Sequence, residues 1–442
     1  MTFSLDARAA HWGDRTAVVD VSEARRDEEA ETIDRDRYSY AELAAIAERF
    51  AASLADRDVD AGDTVCVVSR NRVRVLALFF ACRRLGATFA PLSHRLTPKT
   101  VSRPLERLEP AIVVTESAQR DLTRAVQHAK TVAFDELGRS GDAGTDSDAD
   151  AGFDTAPNLE TETPVPDGTP LVTLHDDPEA TDSDRGADPD PDAAVTFSER
   201  AVEANCRAVA TTWGLGRADC TPLLLPLSAP DGLLRTALPT LYSAGTLLLD
   251  RAFDPGDTLE AIRREPVTWL AGRTAELRDL AANDDADALG ALEWVVGEGP
   301  VSEEVRNAFL ERGVPVAGAY GCHACPTALA QPVGGGIGGE AGIEAESAAG
   351  TEIQTEPGDG GVGYPLFDCR VRLVADDSVV EGAGEGRLEV AGPMVADGAS
   401  GSDDAEAATD WVATGNRFRR DEDGRYYPAD LEDDVAGAVD ES

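Results

Sequence analysis

The sequence predicts an α/β protein closed by a small β-rich part, on three observations. Residues 38–130 alternate helical and strand signals, and residues 171–330 take up the same alternation. From about residue 362 on, short β-like runs replace it. Strand–helix alternation of this kind argues for parallel sheets with helices packed on their faces.

The elements follow in order. Leu43, Ile46, Phe50 and Leu54 share one helical face. Val65–Val68 is a short apolar run after Gly62-Asp63, as suits a buried strand. Val75, Leu78, Phe79, Cys82 and Leu85 repeat the helical spacing, and Gly86 stands where a helix stop belongs. Ala111–Val114 is the next strand. Leu171–Leu174 reads as a strand leading towards a helix-like segment, Thr196–Trp213. Leu223–Leu225, Thr246–Leu249, Trp269–Leu270 and Trp294–Val296 read as strands, and Ser302–Arg312 as a helix capped by Ser302. Val371–Val374, Arg387–Val390 and Arg425–Tyr427 supply the closing β-rich part. Two stretches stand apart in composition: 137–170, acidic, rich in Gly, Pro and Asp and weak in large apolar residues, and 331–361, rich in Gly and Glu. The expected organisation is therefore 1–136, a first α/β part; 137–170, an acidic linker or loop; 171–330, a second α/β part; 331–361, a loop; and 362–442, a small β-rich subdomain.

Composition bounds the function. At 42% hydrophobic, the 442 residues can bury cores for two or three subdomains. The formal net charge is −43, from 83 acids against 40 bases. Lysine occurs only at Lys99 and Lys130, so arginine supplies 38 of those 40 bases. This is the balance of a halophilic protein of a high-salt cytoplasm, kept soluble by a carboxylate surface. It offers no basic patch for nucleic acid. No apolar run reaches the ~18 residues of a membrane span, and acids begin at Asp6, unlike a signal peptide. The seven cysteines are scattered, as free thiols of a reducing compartment would be. Cys322 and Cys325 form one C-x-x-C around His323, without the second pair that a zinc site of about four ligands needs. No metal site is therefore assigned.

Several segments carry a family resemblance. Asp14–Asp20 and Tyr38–Leu43 look like an opening, and Arg83–Pro98 (RRLGATFAPLSHRLTP) like the approach to a first subdomain boundary. Leu238–Ile262, Val295–Gly321 (VVGEGPVSEEVRNAFLERGVPVAGAYG), Gly360–Val374 and Trp411–Tyr427 follow in order. Together they resemble the N-terminal domain of the AMP-forming acyl-CoA synthetases, the adenylate-forming ligase family. The resemblance implies two doubly wound α/β subdomains plus the small β-rich one. It also implies an acid–CoA ligase chemistry: a carboxylate attacks the ATP α-phosphate, and CoA thiol then displaces AMP.

The family's chemical positions are altered here. Its phosphate loop has the form T-S-G-T-T-G-x-P-K-G, whose backbone N–H groups and lysine hold phosphates. The corresponding stretch, His175–Val195, is a run of acids with one glycine, Gly186, and no lysine. The histidine that follows a Leu-Pro in the family is replaced around Leu225-Pro226-Leu227-Ser228-Ala229 by Ser228 or Ala229. The Mg²⁺-binding glutamate of Y-G-x-T-E becomes Ala324 in Tyr320-Gly321-Cys322-His323-Ala324. The ribose-binding aspartate of T-G-D becomes Asn416, and Pro428–Asp434 lacks the hinge arginine. The chain's end at Ser442 leads to the further expectation that the C-terminal lid domain, with its lysine, is absent. Each charge-assisted hydrogen bond is worth about 1.5–3 kcal/mol. Losing three or four removes roughly 5–10 kcal/mol, or about four to seven decades in rate.

No catalytic residue is therefore assigned. Gly297, Glu298, Gly299, Tyr320, Gly321 and Asn416 stand at the family's nucleotide-binding positions, as a vestigial site or as turn residues. Ser228 and Ala229 stand at the acyl pocket, and His94 and His323 are lone loop histidines. The resulting expectation is a catalytically degenerate synthetase that keeps a small carboxylic acid or acyl ligand, or a partner such as an intact synthetase relative. The alternative is an active ligase with its lid supplied in trans, which would use ATP and Mg²⁺.

Overall fold

The computed structural model describes residues 3–24, 36–117, 130–138, 169–175, 194–299, 301–333, 360–397 and 411–429. Apart from their ends, the stretches 137–170 and 331–361 lie outside these residues, as does 176–193 within the acidic run. The described strands form three sheets, of nine, six and five strands.

The six-stranded sheet runs Lys130–Ala133, Ile112–Thr115, Thr64–Val68, Thr88–Leu92, Pro170–His175, Ala194–Ser198. Its pairings are parallel except the last, where Pro170–His175 and Ala194–Ser198 are antiparallel. The nine-stranded sheet runs Tyr364–Pro365, Cys325–Ala330, Val316–Cys322, Trp294–Glu298, Trp269–Gly272, Cys220–Leu223, Thr246–Leu249, Thr16–Asp20, Arg37–Ser39. Its central pairings are parallel and its edges antiparallel. Chain order and sheet membership do not coincide: Thr16–Asp20 joins the nine-stranded sheet, and Pro170–His175 the six-stranded one.

Side-chain alternation shows how the layers stack. Val65 and Val67 enter the largest apolar cluster, whereas Cys66 and Val68 join a smaller one with Leu105 on the opposite face. In the other sheet Val18 enters that same large cluster, and Val19 faces Leu259, Leu277 and Phe309. The period of two thus gives each sheet one face towards a shared interior and one towards outer helices. The interior layer is helical. Tyr40–Ala55 starts from a capping box between Ser39 and Glu42 and buries Leu43, Ile46, Phe50 and Leu54. Val73–Leu85 is buried at nearly every position and stops at Gly86, whose φ of +72° suits a residue without a Cβ. Tyr40 Oη donates to the Gly245 carbonyl at 2.7 Å, tying this layer to the nine-stranded sheet.

Three of the boundaries that differ from the sequence reading have a visible cause. The helix begins at Glu199, capped by Ser198, because Val195–Phe197 pairs with Val172–Leu174 as a hairpin. The strand expected at Leu223–Leu225 is Cys220–Leu223, in register with Thr246–Leu249. The final strand is Tyr426–Pro428, because the Arg425 N–H donates into a turn at the Asp421 carboxylate. Ser302 does cap a helix, Glu303–Leu310. The five-stranded sheet is antiparallel and contains Arg370–Ala375 and Gly384–Ala391, where β-like runs were expected.

In the six-stranded sheet, the chain leaves Thr64–Val68 towards one side and Ile112–Thr115 towards the other. Glu116 stands at that division. Its carboxylate accepts from Ser69 Oγ at 3.0 Å, from the Arg70 N–H at 2.9 Å, and from the Arg70 guanidinium at 2.9 Å. Burial alone would raise its pKa. The hydrogen bonds from Arg70 and the charges of Arg70 and Arg72 outweigh burial and hold it at about 2. A depressed carboxyl stabilises above its unfolded pKa and loses that contribution as pH falls through the folded value. Glu116→Gln should therefore cost about 2 kcal/mol near neutral pH. The difference in melting temperature from wild type should shrink below roughly pH 4.5 and vanish near about pH 2, as followed by circular dichroism.

Candidate functional site

In an open parallel sheet, a crevice forms where successive strands send the chain in opposite directions. In the nine-stranded sheet this happens between Cys220–Leu223 and Trp269–Gly272, which are neighbours although Thr246–Leu249 lies between them in sequence. They pair only through Ala271 and Leu223. The crevice beyond them is lined by Leu225, Asp231, Arg235, Ala271, Val296 and Glu298, among others, packed closely enough to leave no water-sized cavity.

Two charged pairs fill it. The chain after Leu223 turns through Ser228 and Ala229, both half-buried, into the π-helical segment Asp231–Ala237. Gly232 is required at this entry, since a Cβ there would lie 2.1 Å from the Pro226 carbonyl oxygen. Arg235, 3% exposed, points its guanidinium at Glu298, with Nη2 to Oε1 at 3.2 Å and a closer ion pair through Nη1. It also donates to the Pro326 carbonyl and to Thr327 Oγ1. One turn earlier Asp231, also buried, accepts from Arg273 Nε at 2.8 Å. Asn71 pins the same turn from the other sheet. Its Oδ1 accepts from the Leu227 N–H at 2.8 Å, and its Nδ2 donates to the Leu225 carbonyl at 3.2 Å.

The sequence-selected residues gather here unevenly. Glu298 and Gly321 both meet Arg235, Glu298 as its ion-pair partner and Gly321 by close approach: a Cβ on Gly321 would lie 2.6 Å from Arg235 Nη2. Gly297 pairs with Gly318 in register, and a Cβ on it would run into Val301. Gly299 turns with a φ of +67° and donates its N–H to the Ala319 carbonyl at 2.6 Å. Tyr320, 8% exposed, stacks edge-on against Phe418 at 4.7 Å and accepts a hydrogen bond from Asn416 Nδ2 at 2.7 Å. Burial, with Cys322 alongside, pushes the Tyr320 phenol above its ordinary pKa, so the phenol stays protonated. Ser228 and Ala229 belong to the turn that delivers Arg235 rather than to the crevice lining.

The flanks of the acidic run form the hairpin Pro170–His175 and Ala194–Ser198. His323 Nε2 lies 3.2 Å from the Leu174 carbonyl oxygen, and the Ala396 N–H donates to the Ala324 carbonyl. The turn after Tyr320 is thus fastened to the hairpin. At the position the sequence reading matched to the family's Mg²⁺-binding glutamate, this turn carries Ala324.

Residues 5–398 match the AMP-binding enzyme family. The chain belongs to the AMP-binding enzyme family. It is 28% identical over 402 residues to a feruloyl-CoA synthase of Amycolatopsis sp, spanning 89% of this chain and 73% of that protein. It is 28% identical over 413 residues to an indoleacetate–CoA ligase of Aromatoleum aromaticum, spanning 88% and 72%. A 2-succinylbenzoate–CoA ligase of Bacillus subtilis is 24% identical over 403 residues, spanning 90% and 74%. Among solved structures, the N-terminal domain of FACL13 from Mycobacterium tuberculosis superposes with a TM-score of 0.75 at 19% identity, covering 96% of this chain and 98% of that one. The O-succinylbenzoate coenzyme A synthetase of Bacillus subtilis in complex with AMP gives 0.74 at 20%, covering 98% and 79%. The α/β fold read from the sequence is therefore that of the adenylate-forming enzymes, and this member's relatives are acyl-CoA ligases.

Sequence reasoning missed Arg235, Asp231, Arg273 and Asn71. One signal was available for Arg235: a lone arginine inside the apolar run Gly232–Leu241 has to find a buried partner. For this family member, Gly321→Ala should lower stability by about 2–3 kcal/mol, because the new Cβ would lie 1.9 Å from the Pro326 carbonyl oxygen. Tyr320→Phe, which removes the phenol's hydrogen bonds to Thr414 and Asn416, should cost about 1–2 kcal/mol. Urea titrations of both variants beside wild type give the comparison.

Proposed function

We propose that this member of the acyl-CoA ligase family binds a small carboxylic acid or acyl ligand and no longer makes acyl-adenylate. The observation that carries this reading is the switch-point crevice, held by the Arg235–Glu298 pair where an adenylating enzyme needs room for its substrates. Two altered positions support it. Asn416, at the family's ribose-binding position, spends its amide donor on Tyr320, and Ala324 brings no carboxylate for a metal ion.

Adenylation spreads negative charge over a transferring phosphoryl group and depends on fixed donors and cations around it. Among the residues described at this site, the cations are already matched: Arg235 to Glu298 and Arg273 to Asp231. Redirecting Arg273 onto phosphate would leave the buried Asp231 carboxylate behind, at a cost of several kcal/mol. What this arrangement supports is ligand recognition.

A second reading is an active acid–CoA ligase. It is favoured by the match to feruloyl-CoA synthase over 73% of that protein's length. Exchange of labelled pyrophosphate into ATP, run in concentrated KCl with a panel of aryl and aliphatic acids, separates the two. We expect no acid-dependent exchange above a heat-inactivated control, with AMP or acid binding still measurable by calorimetry. Acid-dependent exchange would replace the first reading with the second.

A further inference from the structure

The switch-point crevice carries a buried cation where an acid's apolar remainder would be expected to sit. Arg235 is buried, and its guanidinium is engaged by Glu298, Thr327 and the Pro326 carbonyl, with Gly321 leaving just enough room beside it. Leu225, Ala271, Gly272 and Val296 supply apolar walls but little free volume between them. Asp231, at the start of the same π-helical segment, and Arg273 neutralise each other. The crevice lining therefore holds one cation, Arg235, whose partner, Glu298, comes from the end of a strand and keeps 19% of its side chain exposed.

Two classes of acid would meet this guanidinium differently. An acid with an apolar remainder has to push the guanidinium off Glu298, Thr327 and Pro326, and a buried arginine stripped of its partners is strongly unfavourable. An acid with a second carboxylate can leave the guanidinium in place and exchange one carboxylate partner for another. Arginine's planar fork suits that exchange, and the released Glu298 has a route to water. Sites built around a buried polar group reject analogues lacking the matching group far more sharply than apolar pockets reject a missing methylene.

We propose that Arg235 sets the selectivity of this crevice: it admits small carboxylic acids that carry a second anionic group, which takes Glu298's place on the guanidinium, and rejects acids whose remainder is apolar. The proposal rests on reading the crevice as the acid-binding site of this family member, and it goes beyond that reading by naming the ligand's charge pattern.

Succinate and butyrate make a matched pair of probes, differing in the distal carboxylate. Each would be titrated into the full chain by calorimetry, with AMP titrated in parallel. Wild type should bind succinate at least about tenfold more tightly than butyrate. Arg235→Met, which keeps the volume and removes the charge, should abolish or reverse that preference. Glu298→Gln, which keeps the shape and weakens the internal competitor, should tighten succinate several-fold. The Glu298 variant keeps the proposal testable if the Arg235 variant does not fold. Equal affinities in wild type, a preference that survives Arg235→Met, or no gain in Glu298→Gln would each overturn it. If AMP binds and the acid preference is missing, only the role of Arg235 falls. If AMP and both acids fail to bind to any form, the reading of the crevice falls with it.

Discussion

Two parallel sheets sharing one helical layer is the constraint from which the other features follow. Val73–Leu85 can be apolar on every side only because a sheet covers it both above and below. Sharing that layer brings the carboxyl ends of the two sheets to the same side of the molecule, and Asn71 shows how closely they meet. It follows the strand Thr64–Val68 of one sheet and hydrogen-bonds the backbone that follows Cys220–Leu223 of the other. Each sheet then has its own point of divergence, one occupied by Glu116 and its arginines and one by Arg235 and Glu298. Both divergence points are thus filled by charge pairs that the chain supplies itself.

The global charge of −43 is a poor guide to these interiors. Surface carboxylates govern solubility, and at high ionic strength their field reaches only a few ångströms. Within the crevice the count is balanced, Asp231 and Glu298 against Arg235 and Arg273. That the cations are arginines matters physically. A buried lysine can shed its proton and become neutral, whereas a guanidinium stays charged and holds several acceptors in one plane. Such a pair does not stabilise the fold in proportion to its Coulomb attraction, because desolvation offsets most of it. Its effect is to fix one arrangement of the π-helical segment Asp231–Ala237 against the strand Trp294–Glu298.

The fold was legible because its signals are local and periodic. The apolar faces of Tyr40–Ala55 and Val73–Leu85, the four-residue strand Thr246–Leu249 and the Ser302 cap are each encoded within a few residues of themselves. Boundaries shifted where a distant partner sets the register. Ala194–Ser198 is a strand only because Pro170–His175 lies beside it, and nothing in Thr196-Phe197-Ser198 alone forbids a helix start. Membership of the sheets was not legible at all, since Thr16–Asp20 crosses to pair with Thr246–Leu249. At the candidate site, family positions such as Glu298, Tyr320 and Asn416 could be found by motif. Their present partners could not, because Arg235 is more than sixty residues from Glu298 in sequence, and only the fold brings the two together.

On the proposed reading, the same contacts show how this scaffold would keep its packing without the family's chemical groups. The hairpin Val316–Cys322 and Cys325–Ala330 is held by its backbone ladder and by glycines whose missing side chains permit close approach. Ala324 contributes through its carbonyl, which accepts from the Ala396 N–H, a bond that does not involve its side chain. Asn416 likewise has a structural partner in Tyr320 that does not need a carboxylate charge. A group required only by a bound nucleotide can therefore be exchanged without disturbing the packing that positions it. Arg235 is the opposite case. Removing its charge strands Glu298, and removing Glu298 strands a buried guanidinium, so the two can change only together or in exchange for a ligand that supplies the missing charge. Of all the positions in the crevice, this pair couples the fold most tightly to whatever the site binds.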